Sequence, residues 1–430
     1  MRKRNKFDLS HYKQLTCNQG ELIPIGIQEV LPGDSFQMST KALVRLSPLV
    51  KPVMHPVHAT IRHYFVPNRL LMDDWEDFIT GGETGTDSTT FPTITLTPTV
   101  GSLADYMGLP LGTSISVNAL PFRAYALIYN EEIRNQDLQT TKIGFSTAAG
   151  ADSTTNTTLQ KVNWGKDRFT SAKDSTQKGA EVSLPLGTEA KVIGMGVFTG
   201  SGGWVAGGTN VNESDGSSSP YGTQHPTSSG NVVIEQGSAG YPNIRADLSN
   251  ATAASINDVR EAWALQSFAE HRMMFGGRYS EYLKFLGIRY SDGRLDRPEF
   301  LAGGKETVQF SEVLQTGVDS TNGGLGTLGG HGITALRSNR FRKFFEEHGY
   351  IISLLSISPL TMYHQGVDKL WSVTAKEDFF QYELEGIGQE EILNKEVYVA
   401  HSSPNDIFGY QNRYDRYRFG YNSVCGDLRP

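Results

Sequence analysis

The sequence predicts a mainly β protein, a sandwich or barrel whose long connections contain several helices. Three observations lead to this fold class. Residues 21–56 contain five prolines, which exclude long helices there. Residues 57–66 alternate between apolar and polar side chains, as a half-buried antiparallel strand does. Helical periodicity occurs only in separate stretches between strand-like segments, which is typical of β folds with elaborated loops.

Four segments have the composition of β-strands. They are residues 35–47, 57–66, 349–360 and 396–401. In the second segment the odd-numbered side chains share one face, because side chains alternate along a strand. That face is apolar except for His63, and the opposite face is mostly polar. The segment therefore predicts an antiparallel strand with one face in the core.

Three stretches carry helix signals. Asn68 can cap a helix over residues 69–80, which the glycines that follow would end. Pro121 suits the first turn of a helix that carries Phe122, Tyr125 and Tyr129 on one side. Residues 255–258 resemble a capping box and predict a third helix, which two glycines at 276–277 would end.

One long segment differs in composition from the rest of the chain. Residues 194–243 contain 12 of the 46 glycines, three acidic residues and no Lys or Arg. Such a composition cannot bury much apolar surface, so an external loop is expected there. Two shorter polar tracts, residues 147–158 and 319–332, are also expected to be surface loops.

Charge and cysteine content exclude several classes of protein. The chain has 39 basic and 46 acidic residues, a net charge of −7. Because binding to phosphates is driven by Lys and Arg, a chain this acidic is not expected to coat a nucleic acid by itself. Cys17 and Cys425 form no CxxC motif, so neither a zinc ribbon nor a disulfide framework is expected, and a reducing compartment is favoured. No apolar run approaches the ~18 residues that span a bilayer, and no signal peptide is apparent. We therefore expect a soluble protein made in the cytoplasm, without membrane insertion.

The sequence shows no catalytic or metal-binding arrangement. His55, His58 and His63 are close in sequence, but a strand would turn His58 to the opposite face, so structural or surface histidines are favoured over metal ligands. Residues 324–329 match GxGxxG without the preceding strand and following helix that a dinucleotide site requires. The sequence therefore predicts no enzyme, no metal site and no cofactor.

Aromatic and basic residues alternate closely in residues 410–421. Tyr and Arg side chains can stack on bases and pair with phosphates. They can also form cation–π and ion-pair contacts within a subunit interface, and interface or packing contacts are favoured over nucleic acid. The first six residues carry four positive charges, which either contact nucleic acid or form a solvated end without function. The candidate nucleic-acid contacts are Arg2, Lys3, Arg4, Lys6, Arg413, Arg416 and Arg418.

Longer strings of sequence resemble the major capsid protein of microviruses, in the gokushovirus branch. They are long and non-repetitive, and they follow one another across nearly the whole chain. The strings include FDLSHYK at residues 7–13, EVLPGDSF at 29–36, HYFVPNR at 63–69, WEDFITGG at 75–82, ALPFRAY at 119–125 and FGYQNRY at 408–414.

The resemblance implies an eight-stranded antiparallel jelly roll of the viral capsid type, with long loop insertions containing several α-helices. It implies a T=1 icosahedral shell of sixty copies around a circular single-stranded DNA genome, in a virion assembled in the cytoplasm of a bacterial host. Residues 1–34 would be an extended arm with a basic tip, and residues 35–430 one jelly-roll domain. Residues 188–243 would form a spike at the three-fold axes. The proline-rich region at 24–56 is expected to contact neighbouring subunits more than its own core.

The resemblance also implies partners other than further copies of the chain and the DNA. These are a small basic DNA-binding virion protein, a minor pilot protein, a scaffolding protein and a host surface receptor. The candidate receptor-contact residues are Trp204, Asn212, Tyr221 and His225. The alternative function is a β-sandwich carbohydrate-binding or glycan-cleaving protein, in which Trp204 and Tyr221 would form the ligand platform.

Overall fold

The chain divides into two units, Met1–Thr176 with Gly276–Pro430, and Gln177–Phe275. The structure is a computed structural model. The residues that it describes are 5–49, 53–82, 86–139, 141–180, 182, 191–193, 197–199, 203–205, 245–247, 256–275, 284–286, 296–314, 316 and 328–429.

Strands make up most of the regular structure in the described residues. They are β1 (Ile23–Val30), β2 (Ser35–Met38), β3 (Lys41–Arg45), β4 (Val57–Pro67), β5 (Thr93–Leu96), β6 (Ile115–Asn118), β7 (Ala151–Asp152), β8 (Lys191–Ile193), β9 (Val197–Thr199), β10 (Gly203–Val205), β11 (Arg245–Asp247), β12 (Glu299–Thr307), β13 (Gln309–Leu314), β14 (Leu328–Arg337), β15 (Phe341–Phe344), β16 (Gly349–Pro359), β17 (Gln389–Leu393) and β18 (Ile407–Asn412).

Helices lie in the connections between the strands. The α-helices are α1 (Trp75–Thr80), α2 (Leu103–Tyr106), α3 (Leu120–Ile128), α4 (Ile256–Phe275) and α5 (Asn394–Val397). A π-helical turn at Tyr129–Ile133 continues α3. Short 3₁₀ turns occur at Asn68–Leu70, Lys369–Ser372, Lys376–Asp378, Tyr382–Leu384, Asp415–Tyr417 and Gly426–Leu428.

A four-stranded antiparallel sheet in the order β1-β16-β4-β12 is the centre of the first unit. The first nine residues of β16 are all buried, because both faces of this sheet are covered. On β4, Val57, Ala59 and Ile61 pack on one face with Val308 and Leu336. The predicted strands at 57–66 and 349–360 are therefore confirmed.

The opposite face of the central sheet packs against α3. Leu120, Phe122 and Ile128 of that helix form one buried cluster with Tyr64 and Ile352. A third cluster joins the end of β4 to β15, where the ring centroids of Phe65 and Phe345 lie 4.5 Å apart. These clusters exclude water from both faces of the sheet, and apolar burial stabilises by roughly 25 cal/mol per Å².

The other described strands form small sheets. The first unit has β13-β14-β3, β15-β2, β17-β18 and β6-β5-β7, and the second unit has β10-β9 and β11-β8. All pairs are antiparallel except β5 with β7. The prediction of a mainly antiparallel β protein with helices in its connections is confirmed, and the eight-stranded jelly roll stays a prediction.

Two of the predicted strands differ in the structure. Segment 35–47 is divided, because β2 pairs with β15 while β3 pairs with β14. Thr40 lies between the two strands, and its N–H donates to the Ser338 hydroxyl at 2.8 Å. The strand expected at 396–401 is wrong: α5 and a loop occupy this region between β17 and β18. The Leu393 N–H donates to the Glu396 carboxylate at 3.2 Å, which supports a helical turn instead.

The helix expected over residues 69–80 forms only in its second half, as α1. Leu71 and Met72 are fully buried, and the Asp73 N–H donates to the Thr147 carbonyl at 3.0 Å, so this stretch follows its tertiary contacts rather than helical periodicity. Gly81 ends α1 with a φ of 84°, as predicted. The helices expected at Pro121 and after residue 255 are confirmed as α3 and α4. Residues 255 and 276–277 lie outside the described residues.

Residues 23–30 form a strand within their own chain, and the expectation that the proline-rich region 24–56 contacts neighbours more than its own core stays a prediction. β1 pairs with β16 from Ile23↔Leu355 to Val30↔Gly349, and Leu22, Ile23 and Val30 are buried. This stretch is a core strand because its apolar side chains are buried within its own chain. For residues 5–20 the extended arm stays a prediction.

The two shorter polar tracts are only partly loops. Within 147–158, β7 brings Asp152 into the interior of the protein. Residues 328–332 of the second tract belong to β14, and the remainder of that tract lies outside the described residues. A polar tract can thus contain a buried side chain when that side chain has a charged partner, as Asp152 has in Arg123.

Candidate functional site

The aromatic and basic segment at 410–421 begins inside a sheet. Tyr410 and Gln411 lie in β18, and Tyr410 also exchanges two backbone hydrogen bonds of 2.8 Å with Lys173. Tyr414 follows the strand with a φ of 67°, a left-handed conformation that costs about 1 kcal/mol for a residue with a β-carbon. The chain reverses there into the turn at Asp415–Tyr417.

A buried charge cluster holds this region against the rest of the first unit. The Arg168 guanidinium lies 2.7 Å from a Glu396 carboxylate oxygen and donates to the Gln411 side chain at 3.2 Å. All three side chains are buried. Burial raises the pKa of Glu396, and the positive charge of Arg168 opposes that rise. Removing one partner would leave an uncompensated buried charge, so the pair fixes the position of β18.

Tyr414 joins two segments that are distant in sequence. Its hydroxyl donates to the Glu377 carbonyl at 3.1 Å and accepts the Gln381 N–H at 3.2 Å. Its ring lies 5.2 Å from the Phe380 ring and 6.3 Å from the Tyr417 ring. Residues 376–387 therefore lie against residues 414–418.

The three C-terminal candidate arginines differ in their surroundings. Arg416 donates to the Asp378 carbonyl at 2.6 Å and stacks 4.6 Å from the centre of the Tyr417 ring. Arg418 forms ion pairs with Glu385 and Asp415. Arg413 is half-buried and forms no ion pair among the residues that the structure describes. Two of the three guanidinium groups thus already have partners in their own chain.

The N-terminal candidates lie mostly outside the described residues. Lys6 is exposed, whereas Arg2, Lys3 and Arg4 are not described. The chain that follows exposes Phe7 and Tyr12, and it meets the core at residue 13, where the Lys13 ammonium donates to the Tyr106 carbonyl. Tyr106 in turn donates to the Thr16 carbonyl at 2.7 Å. Residues 5–12 therefore lie on the surface, and the chain is held from residue 13 onwards.

Of the four loop candidates, Trp204 lies among the described residues. Trp204 lies in β10, which pairs with β9 in the second unit. Asn212, Tyr221 and His225 lie outside the described residues, as does most of segment 188–243.

The three neighbouring histidines each have a separate partner. His63 is buried between the hydroxyls of Ser353 and Ser338, at 2.7 and 3.1 Å. His58 contacts the Thr307 hydroxyl at 3.1 Å, and His55 contacts the Leu360 carbonyl. Within the described ranges no group of three His, Cys, Asp or Glu side chains could hold a metal ion.

Two other sequence features are tested by the described residues. Leu328 and Gly329, at the end of the GxGxxG motif, begin strand β14, whereas a dinucleotide site needs a helix there. None of the described helices is both long and apolar enough to cross a membrane.

Sequence reasoning missed the Arg168–Glu396 pair and a second buried pair, Arg123 with Asp152 at 2.8 Å. No local signal identifies the first pair, because its members are 228 residues apart. The position of Asp152 in a Ser- and Thr-rich tract gave no sign of burial.

The mostly antiparallel β structure is consistent with a viral capsid β-sandwich, a class of structural protein. Comparison with known families agrees with this, because the chain matches the capsid protein (F protein) family over residues 1–430 and belongs to it. The resemblance to microvirus capsid proteins is therefore confirmed, and the chain is a structural capsid protein and not an enzyme.

The relatives are capsid proteins of gokushoviruses. The chain is 36% identical to capsid protein VP1 of Bdellovibrio phage phiMH2K, over 99% of this chain and 82% of that protein. It is 30% identical to capsid protein VP1 of Chlamydia phage 1, over 99% of this chain and 84% of that protein. The chain is 31% identical to capsid protein VP1 of Spiroplasma virus 4, over 99% of this chain and 82% of that protein.

Proposed function

We propose that this major capsid protein forms a T=1 icosahedral shell of sixty copies around a circular single-stranded DNA genome. The virion would be assembled in the cytoplasm of a bacterial host. The observation that carries the proposal is the capsid-family match over residues 1–430. A shell of identical subunits is the closed, symmetric solution expected for a chain that contacts copies of itself.

The proposed fold is a jelly roll over residues 35–430 with long insertions. Its support is the central sheet, in which β1 and β4, near the N-terminus, pair with β16 at 349–359. Such non-local antiparallel pairing is typical of Greek-key and jelly-roll connections. The separate unit at Gln177–Phe275 supports an insertion there, and we propose that residues 188–243 form a spike at the three-fold axes.

We propose that the N-terminal basic residues face the genome. Arg2, Lys3, Arg4 and Lys6 belong to a segment whose described part is exposed, and phosphates are attracted by Lys and Arg. Arg413 is the best-placed C-terminal contributor, whereas Arg416 and Arg418 would have to share their guanidinium groups with partners in their own chain.

We propose three further viral proteins and a host receptor as partners. A small basic DNA-binding protein would supply the positive charge that this chain lacks. A pilot protein and a scaffolding protein would act in delivery and assembly. A host receptor would contact the loop that contains Trp204, Asn212, Tyr221 and His225.

Electron cryo-microscopy of particles formed by the expressed chain tests the shell. Sixty copies in a closed T=1 shell are expected, and a chain that stays monomeric under assembly conditions would contradict the proposal. Deleting residues 200–235 tests the spike. We expect shells that assemble but no longer bind host cells, whereas folded subunits that fail to assemble would make the segment an assembly element.

Replacing Arg2, Lys3, Arg4 and Lys6 with Gln tests the genome contact. Normal shells with less DNA per particle are expected, since four phosphate-pairing charges per subunit are lost. Unchanged packaging, together with an N-terminus found on the outer surface, would reject the role.

A further inference from the structure

Residues 376–387 and 413–419 form one surface that is rich in exposed apolar side chains. Tyr414 joins the two segments through hydrogen bonds with Glu377 and Gln381. We call this region the aromatic surface. Its exposed apolar members are Phe379 (55% exposed), Phe380 (49%), Tyr382 (79%), Ile387 (59%), Tyr417 (58%) and Phe419 (59%).

The size of the aromatic surface is that of one side of a protein interface. Large apolar side chains bury about 200 Å² each, so six that are about 60% exposed leave about 700 Å² in contact with water. Monomeric proteins rarely expose a contiguous apolar patch of more than about 600 Å². One partner of a standard interface buries about 800 Å². The surface is therefore large enough to need a partner.

The charges around the aromatic surface disfavour nucleic acid as that partner. Its two segments contain five acidic and four basic residues, Glu377, Asp378, Glu383, Glu385 and Asp415 against Lys376, Arg413, Arg416 and Arg418, a net charge of −1. A polyanion is attracted by an excess of cations, and the aromatic surface has no such excess. A phosphate would also have to displace Glu385 and Asp415 from Arg418.

The same charges suit contact with a protein surface of similar composition. Residues 376–387 carry one basic and four acidic side chains, and residues 413–419 carry three basic and one acidic, so another surface with both signs can pair with them. Tyr, Phe and Arg are also the residue types enriched at the centres of interfaces. Because Tyr414 fixes the two segments together, little conformational entropy is lost on association.

We propose that the aromatic surface is a contact between copies of this chain in the assembled shell. The inference rests on the proposed function, because it assigns one of the contacts that a shell requires. It places Tyr382 and Phe419 at the contact, and it assigns the exposed aromatic residues of the C-terminal segment to assembly.

The test combines Tyr382→Ser with Phe419→Ser, two exposed side chains with no ring contact among the described residues. The matched control combines Val100→Ser with Leu138→Ser, which are 83% and 65% exposed elsewhere on the first unit. We expect the first variant to keep the melting temperature of the free subunit and to need at least a tenfold higher concentration for half-assembly, measured by sedimentation. The control should assemble like the wild type.

Assembly of the first variant at the wild-type concentration would overturn the inference, and reduced DNA in such shells would assign the surface to the genome. A wild-type chain that stays monomeric would overturn the proposed function as well. If the double variant fails to fold, Tyr382→Cys in a Cys425→Ser background replaces it. A small maleimide should label this cysteine in free subunits and be excluded from it in shells, while Val100→Cys is labelled in both. Equal labelling of Tyr382→Cys in both states would overturn the inference.

Discussion

At the scale of the residue, His63 makes the stability of the core depend on pH. Its ring is fully buried between Ser353 and Ser338, and burial lowers its pKa to about 4 from an ordinary value of 6.5. The unfolded chain therefore binds a proton that the folded chain does not between pH 6.5 and 4. Stability from neutral His63 is fully present above pH 6.5 and is lost as the pH falls towards 4, by about 3 kcal/mol.

His63→Gln should remove this dependence. The variant will be less stable than the wild type at pH 7, and the difference in the free energy of unfolding should shrink as the pH falls to 4.5. Urea unfolding at several pH values measures it, with exposed His11→Gln as the control. A difference that stays constant with pH would mean that His63 does not titrate in this window.

The buried pair Arg123–Asp152 gives a second prediction for single residues. Burial alone raises the pKa of Asp152, but hydrogen bonds from Thr155 and from Arg123 outweigh it and hold the pKa below its usual value. Arg123 also donates to the carbonyls of Leu71 and Ala148, at 2.8 and 2.9 Å. Arg123→Met should cost about 3–5 kcal/mol, because it leaves the carboxylate buried without its cation.

A double-mutant cycle with Asp152→Asn separates the ion pair from the other bonds of Arg123. We expect the double variant to lose less stability than the sum of the two single variants, measured by urea unfolding at neutral pH. Additive losses would show that the backbone hydrogen bonds of Arg123, and not its charge, hold α3 to the loop at 147–158.

At the scale of the element, close approach of β16 to β4 depends on a glycine. A β-carbon at Gly349 would lie 2.4 Å from the Val66 carbonyl oxygen and 2.5 Å from the Phe65 ring. Gly349→Ala should therefore destabilise the central sheet by roughly 3 kcal/mol. Gly165→Ala is the matched control, since nothing lies within 4 Å of its β-carbon position. Equal melting temperatures for the two variants would contradict the prediction.

Elements with a strong local pattern could be predicted from sequence, and those fixed by distant contacts could not. β4 and α3 follow from the periodicity of their own side chains, and β16 follows from its apolar, strand-like composition. α5 replaces an expected strand because Glu396 bonds to Leu393 and pairs with Arg168, far away in sequence. In the candidate site the sequence located the Tyr- and Arg-rich segment, but Glu385, the partner of Arg418, comes from a different segment.

At the scale of the whole molecule, net charge sets a condition on packaging. Sixty subunits at −7 each would carry −420, and the genome inside the proposed shell is itself a polyanion. The four cations at residues 2–6 of each chain already count in that sum. The negatively charged shell and DNA repel each other unless cations are supplied between them.

Shells assembled from this chain and single-stranded DNA alone should therefore protect little of the DNA from nuclease. Adding a short basic polypeptide such as polylysine should raise the protected fraction several-fold at low salt, since it supplies the missing cations. The gain should fall steeply as salt increases, because displacement of counterions drives the binding. An uncharged polypeptide of the same length is the control. Full protection of the DNA without any polycation would mean that the subunit's own basic residues suffice, and a separate basic protein would then be unnecessary for packaging.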